Sequence, residues 1–163
     1  MEPPERLVLD ILQVEWDNTN SYDLTPKISF GWFDESSGIP QVTISQPDES
    51  PSDGGNTGFS GISVDGPTQR FTGTIEVNVW CRPSDLENAN TVNPRQYNQA
   101  AAMEIQRIIG NNNDRPENPR TGNMPVNFLS YTGKTPVPEP DDTIKMLRHY
   151  NVVVSYGYGP TSR

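Results

Sequence analysis

Few residues in this 163-residue sequence have the chemistry of a catalytic or metal-binding site. The chain holds one cysteine, Cys81, and one histidine, His149. A single cysteine permits no intrachain disulfide, and a zinc site built from several Cys and His ligands is excluded as well. A Ser-His-Asp arrangement would have to use His149, and the sequence identifies no partner for it. We therefore predict no catalytic residue, no metal site and no cofactor. We expect His149 to be a structural or interface residue and Cys81 to be a small buried hydrophobe.

Two further motifs invite a chemical interpretation. Residues 132–135 read Thr-Gly-Lys-Thr, but Phe128 stands where a phosphate-binding loop needs its first glycine. We interpret this segment as an ordinary turn within a surface loop. Asp141 and Asp142 form a carboxylate pair that suits a hard cation, yet no other acidic cluster lies at a recognisable spacing. We interpret the pair as a solvated turn or a strand cap.

The charge of the chain is unevenly distributed. The net charge is −9, and residues 1–66 carry twelve acids and two bases, whereas residues 67–163 carry nine acids and ten bases. A globally acidic chain is poorly suited to gripping duplex DNA, because each phosphate contact needs Lys or Arg. Only three of the twelve bases are Lys, and acid excess with scarce lysine indicates a host that lives at high salt. No apolar window is long enough for a membrane span and no signal-peptide core follows Met1, so we expect a soluble protein of cytoplasmic origin.

Two helices are predicted from capping and periodicity. Pro3-Pro4-Glu5 begins a helix that runs from about residue 3 to 15, with its apolar residues on one face. The second helix covers 94–109, where Asn93 is the cap and Pro94 occupies the first position. We expect Gly110 to end it in a left-handed cap.

Period-two alternation predicts strands over 27–33, 41–45, 72–81, 126–131 and 143–158. The first strand places Ile28, Phe30 and Trp32 on one side. In the third strand the inward residues are Ile75, Val77, Val79 and Cys81, and the outward ones are Thr74, Glu76, Asn78 and Trp80. The order of elements predicts a single α+β domain over 1–163, with an antiparallel or mixed β-sheet of about five strands and two helices packed on one face.

Two long loops are predicted as insertions. Residues 46–70 are too long and too rich in Gly, Ser, Asp and Pro for a tight hairpin, and loops of this length are usually functional or disordered. Because Phe59 and Ile62 lie in its middle, we interpret 46–70 as a protruding arm that orders against a partner. Residues 110–125 form the second long loop.

Five residues are our candidates for an assembly interface. Two, Phe59 and Ile62, lie in the arm. Trp80 faces away from the apolar side of its strand, so it either packs under a helix, which we favour, or is exposed as an interface anchor. Tyr156 in the closing strand poses the same question, and Arg148 lies near the start of that strand.

The order of elements resembles a known family, the tail terminator and tail-completion (head–tail joining) proteins of long-tailed phages and archaeal tailed viruses. The segments that carry the resemblance are LVLDIL in the first helix, TIEVNVWC running into a helix with AAAMEIQRIIG, the short strand VNFLSY and the closing strand MLRHYNVVVSYGY. It spans most of the chain except 46–70 and the 110–125 loop.

The resemblance implies a structural virion protein. Such a subunit forms a ring, expected to be a hexamer, on the last ring of the tail tube protein, stops tube growth and faces the head–tail connector. DNA would pass through an acidic lumen without specific binding. The protein would be made in the host cytoplasm and reside in the neck region of the virion.

Three alternatives stay open. Within the same class, the chain is a head–tail adaptor or another neck ring protein. In a second class, it is a β-rich ligand- or carbohydrate-binding module that uses Trp32, Trp80 and tyrosines as a stacking platform. The third alternative is a hydrolase that uses Asp141, Asp142 and His149, which we rank last.

Overall fold

The elements of the fold follow the predicted order with three additional strands. A computed structural model describes residues 2–52, 62–63, 66–67, 70–86, 92–137 and 147–159. The helices are α1 (Pro4–Glu15) and α2 (Pro94–Asn111), with short 3₁₀ turns at Asn18–Ser21 and Pro83–Leu86. The strands are β1 (Lys27–Phe30), β2 (Gln41–Ile44), β3 (Asp48–Ser52), β4 (Ile62–Ser63), β5 (Gly66–Pro67), β6 (Arg70–Cys81), β7 (Phe128–Val137) and β8 (Arg148–Tyr158).

Six strands form one mixed sheet in the order β1-β2-β6-β8-β7, and β3 pairs with β6 as well. β1 and β2 are parallel, and every other pair in this sheet is antiparallel. The longest ladder joins β6 to β8 in eleven residue pairs, from Phe71 opposite Tyr158 to Cys81 opposite Arg148. The predicted α+β class with a mixed sheet is confirmed.

Both helices cover the same face of the sheet. Their apolar sides and the inward residues of β2, β6 and β8 form one fully buried core that includes Leu7, Ile11, Leu12, Val42, Ile75, Val77, Val79, Ala101, Ile105, Ile108, Val152 and Val154. Burying one Val, Leu or Ile side chain contributes about 1.5–3 kcal/mol, so this face supplies most of the stabilising burial. Cys81 is also fully buried in this core, as predicted.

Both ends of α1 and the start of α2 agree with the predicted boundaries to within one residue. At the start of α2, the Asn93 side chain accepts from the backbone N–H of Gln96, and the Gln96 side chain accepts from the Asn93 N–H. This capping box satisfies two donors that helix geometry leaves without partners. The predicted cap at Gly110 is wrong, because α2 continues to Asn111 and Asn112 ends it. The Asn112 side chain donates to the carbonyl of Ile108 and to Glu15 of α1.

The connection between β1 and β2 crosses the sheet on the face opposite the helices. Parallel neighbours need a crossover because the chain must return to the starting end of the first strand. Here residues 31–40 make it, starting at Gly31, whose φ of +103° suits only glycine. The predicted shared side for Ile28, Phe30 and Trp32 is therefore wrong. Gly31 ends the alternation, and Trp32 lies against Trp80 of β6 on the other face.

Three other predictions about loops need correction. Residues 48–52 of the predicted arm form strand β3, and Ile62 lies in the short hairpin of β4 and β5. The segment Thr132–Thr135 is part of strand β7 with a bulge between Tyr131 and Gly133, so it is not a turn. Within the predicted second loop, residues 110 and 111 are helical, whereas 112–127 contain only an isolated bridge between Asp114 and Phe128.

Gly73 of β6 lets Tyr156 of β8 reach across the sheet to β3. The three residues Glu49, Gly73 and Tyr156 lie side by side in the strand register. The Tyr156 hydroxyl donates to the Glu49 carboxylate at 2.5 Å, and the Tyr158 hydroxyl donates to the other oxygen at 2.6 Å. A Cβ on Gly73 would lie 2.5 Å from the Tyr156 hydroxyl oxygen. β3 therefore depends on a glycine in its neighbouring strand.

We expect Gly73→Ala to lower the free energy of unfolding by about 1–3 kcal/mol, because the methyl group displaces Tyr156 and breaks its bond to Glu49. The measurement is urea denaturation followed by circular dichroism. Gly110→Ala is the matched control: a Cβ there meets nothing within 4 Å, and alanine in a helix is favoured over glycine by about 0.5–1 kcal/mol. Equal effects of the two substitutions would contradict the role of Gly73.

Candidate functional site

The strongest candidate for a functional surface is an aromatic cluster on the sheet face opposite the helices. The rings of Trp80 and His149 stack at 3.7 Å between centroids with 13° between their planes. The Trp32 ring stands edge-on to both, 4.7 Å from Trp80 and 5.9 Å from His149. Trp80 is 1% exposed whereas Trp32 is 65% exposed. A buried pair thus supports one projecting indole.

Strand register explains why these rings meet. Trp80 lies opposite His149 in the β6–β8 ladder and opposite Gln41 in the β2–β6 ladder. Side chains that are directly opposite on one face lie within about 5.5 Å at Cβ, which places the two rings in stacking distance. The crossover loop then brings Trp32 over them.

A polar network fixes the base of the cluster. His149 Nε2 lies 2.6 Å from Asn78 Oδ1, which also accepts from Asn151 Nδ2 at 3.0 Å. The indole N–H of Trp80 donates to the Thr43 hydroxyl at 2.9 Å. The Asn78 side-chain nitrogen is buried and finds no hydrogen-bond partner among the described residues. These bonds set the orientations of the Trp80 and His149 rings, because each ring is bonded to a neighbouring strand.

Arg82 holds the crossover loop, residues 31–40, in place next to the aromatic cluster. Its guanidinium lies 5.0 Å from the centroid of the Phe33 ring and donates to the backbone carbonyls of Glu35 and Ser37. The Asp85 carboxylate, buried on the other side of Arg82, pairs with the guanidinium at 3.1 Å. The loop that presents Trp32 is therefore held by charge-assisted bonds at several points.

The arrangement suits recognition through Trp32. An exposed aromatic ring on a rigid base is typical of residues that dominate binding energies, because little conformational entropy is lost on contact. Period-two alternation does not predict this placement, since it puts Trp32 on the same side as Ile28 and Phe30. The residue that could have indicated the change of face is Gly31, which directly precedes Trp32 and ends the strand-like run.

The five predicted interface residues have different outcomes. Trp80 and Tyr156 are buried within the chain, so the alternative in which either is exposed as an interface anchor is wrong. The favoured helix packing of Trp80 is wrong too, because Trp32, Phe33 and His149 cover it on the face away from the helices. Arg148 is exposed and stays a candidate. Phe59 lies outside the described residues, and of Ile62 only the backbone is described.

The other chemically suggestive residues do not converge on this cluster. Burial raises the pKa of the Cys81 thiol, and the nearby Asp85 carboxylate adds to the effect. Asp141 and Asp142 lie outside the described residues. In the described part of the chain, no group of three His, Cys, Asp or Glu residues is placed to hold a metal ion.

Two buried carboxylates hold loops against the helices. Asp10 of α1 is fully buried and accepts from Arg6 and from Asn118 of the 112–127 loop. Glu104 of α2 accepts from the backbone of Asp17 and pairs with Arg107 at 2.7 Å. Burial alone would raise the pKa of each carboxyl, but these donors and cations outweigh burial and lower it.

Comparison with known proteins leaves the family open: no family model matches the chain, and no curated protein matches it. Among the described residues, neither helix is long and apolar enough to cross a membrane.

We expect Trp80→Ala to lower the free energy of unfolding by about 3–5 kcal/mol, because it removes a large buried ring. Trp32→Ala should lower the free energy of unfolding by only about 0.5–1.5 kcal/mol, which is what one aromatic pair contributes, since most of the Trp32 ring is exposed. Urea denaturation followed by far-ultraviolet circular dichroism measures both. Similar losses for the two variants would contradict the division into a buried base and an exposed indole.

Stability should decline on acidification. The pKa values of Asp10, Asp17 and Glu104 are lowered, and hydrogen bonds from Ser36 and Lys27 lower the pKa of Asp34 to about 2. A lowered pKa means that the unfolded chain binds protons first, so the stabilisation is complete above about pH 4.5 and is lost as the pH falls towards 2.

Denaturation midpoints in urea between pH 7 and pH 2.5 test this expectation. Glu104→Gln removes one of the titrating groups, so this variant should be less stable at pH 7 and should lose less stability on acidification. A midpoint that is constant over this range in the unsubstituted protein would refute the expectation.

Proposed function

We propose that the chain is a structural subunit of a tailed virus, forming a ring at the head-proximal end of the tail. In this role it ends the growth of the tail tube and joins the tail to the head connector, as a tail terminator does. The proposal is supported by the resemblance described above and by an α+β fold with both helices on one face. A head–tail adaptor or other neck ring protein belongs to the same class.

The observation that carries the proposal is the distribution of exposed apolar side chains. Among the described residues, five of the seven large exposed hydrophobic side chains lie between positions 14 and 39, namely Val14, Tyr22, Phe30, Trp32 and Ile39. The core between helices and sheet is already complete within one chain. Trp32 is the most exposed of the seven, at 65%, and its indole stands on a buried aromatic base, an arrangement typical of residues at contacts with other subunits.

The acidic first half fits a channel for DNA. Residues 1–66 carry a net charge of −10. Acids on the wall of a ring would repel the phosphates, so DNA would slide past without the Lys or Arg contacts that cause binding. An assembled ring whose acids lie on its outer rim would contradict this part of the proposal.

Immunogold labelling of particles from the source culture tests the proposal, with label expected only at the neck or the upper end of the tail. In parallel, the purified protein is mixed with tail tubes and viewed by electron microscopy. Trp32→Ala should abolish capping of the tube end, whereas Met103→Ala should not, because Met103 is 60% exposed on α2, outside the 14–39 segment.

Intact particles without label would refute the virion role. A ligand- or carbohydrate-binding module would then be the better candidate, favoured by the exposed Trp32 ring on its rigid base. Binding of glycans to the isolated monomer, lost in Trp32→Ala, would support that alternative.

A further inference from the structure

Strand β1 leaves part of its backbone facing away from the sheet. Lys27 N–H donates to the carbonyl of Pro40, and Gly31 N–H donates to that of Ile44. In a parallel ladder, alternate residues face the same neighbour, so the backbone groups of Ile28 and Phe30 face outward. The side chain of Gln13 donates to the outward carbonyl of Ile28 at 2.9 Å. Phe30 thus presents both its N–H and its carbonyl to the edge.

The opposite edge of the sheet, strand β7, is built differently. Asn113 pairs with both outward groups of Leu129: its carbonyl accepts from the N–H, and its side-chain amide donates to the carbonyl. A bulge follows between Tyr131 and Gly133, and Pro136 in the same strand has no N–H to donate. Bulges and prolines are common means of preventing strand addition. Of these two edge strands, β1 is therefore the one open to a further strand. Strand β3, which pairs only with β6 among the described strands, includes Pro51.

A cavity adjoins the β1 edge. Its volume is about 340 Å³, and its lining residues are Gln13, Trp16, Asn18, Thr25, Pro26 and Ile28. A strand added to an edge turns alternate side chains to one face, and a cavity beside the edge can receive one of them. Trp16, Pro26 and Ile28 offer an apolar wall for an aliphatic side chain.

The charges around the cavity favour a basic occupant. In the sequence the lining residues are flanked by three acids, Glu15, Asp17 and Asp23, and one base, Lys27. Arg107 of α2 also lies near Glu15 and Asp17, but its guanidinium is paired with Glu104. The ammonium of Lys27 is already paired with Asp34 at 3.0 Å. An incoming segment with Lys or Arg would therefore meet unbalanced negative charge, which speeds encounter and selects against acidic segments.

We propose that β1 is a docking edge for an extended basic segment of another protein, which adds to the sheet as a further strand and places an aliphatic side chain in the adjoining cavity. Backbone hydrogen bonds to Phe30 hold the segment, and the acids around the cavity select its charge. This inference goes beyond the proposed ring function and does not require it.

The test uses the full chain and a short capped peptide in which Lys and Val alternate, with binding followed by fluorescence anisotropy at low salt. Two control peptides carry Glu in place of Lys, or methyl groups on alternate backbone nitrogens. We expect the Lys–Val peptide to bind and both controls to bind at least about tenfold more weakly, a loss that corresponds to about 1.4 kcal/mol.

Two matched substitutions at one position separate the backbone from the side chain. Phe30→Pro removes the outward N–H and leaves the hydrogen bonds between β1 and β2 in place. It should weaken peptide binding about tenfold, because the peptide loses one backbone hydrogen bond and the alignment that this bond provides. Phe30→Ala keeps the N–H and should change binding less than about threefold. Gln13→Ala frees the carbonyl of Ile28 for the peptide and should tighten binding, a result that a mere loss of fold would not produce.

The proposal is overturned if the Lys–Val peptide fails to bind, or if the methylated peptide binds equally well. Equal binding by Phe30→Pro and Phe30→Ala, both folded by circular dichroism, would also overturn it. If Phe30→Pro does not fold, unchanged or weakened binding by Gln13→Ala overturns it instead. A dimer of the unsubstituted protein that the Phe30 variants dissociate would also overturn it, because the occupant of the edge would then be a second copy of this chain.

Discussion

The antiparallel ladder between β6 and β8 is the interaction on which the rest of the structure depends. Its eleven residue pairs determine which side chains of β6 and β8 lie next to one another on each face of the sheet. One face contributes Val77 and Val152 to the core beneath the helices, and the other face contributes Trp80 and His149, which form the base of the aromatic cluster. Because side chains alternate, a slip of one residue in this ladder would move the core residues to the polar face and remove both features together.

The sequence predicts those parts of the fold that depend on local periodicity. The two helices, the alternation of β6 and the capping of α2 by Asn93 depend on residues close together in the chain, and all three are confirmed. The placement of Trp32 depends on the long-range pairing of β1 with β2, which forces a crossover that no local pattern reveals. Local alternation also predicts the correct face for Trp80, but the rings that cover it, those of Trp32, Phe33 and His149, come from distant parts of the sequence.

Two further errors have specific physical causes. β3 has the sequence Asp-Glu-Ser-Pro-Ser, whose residues are depleted in strands, so propensity favoured a loop. It is held instead by long-range contacts: the ladder to β6 and the bonds of Glu49 to two tyrosine hydroxyls. Gly110 failed as a cap because the side chain of Asn112, two residues later, satisfies the helix end. In both cases a polar contact outweighed the usual preference of the backbone.

Cys81 gives this protein a chemical property that follows from its burial. The thiol lies in the core, with no exposed surface and a raised pKa, so the reactive thiolate is scarce and shielded while the chain stays folded. Reagents that alkylate thiols should modify Cys81 only when the whole core opens, and their rate then reports the frequency of global opening. A cysteine introduced anywhere on the surface would consequently be the single labelling position of the native molecule.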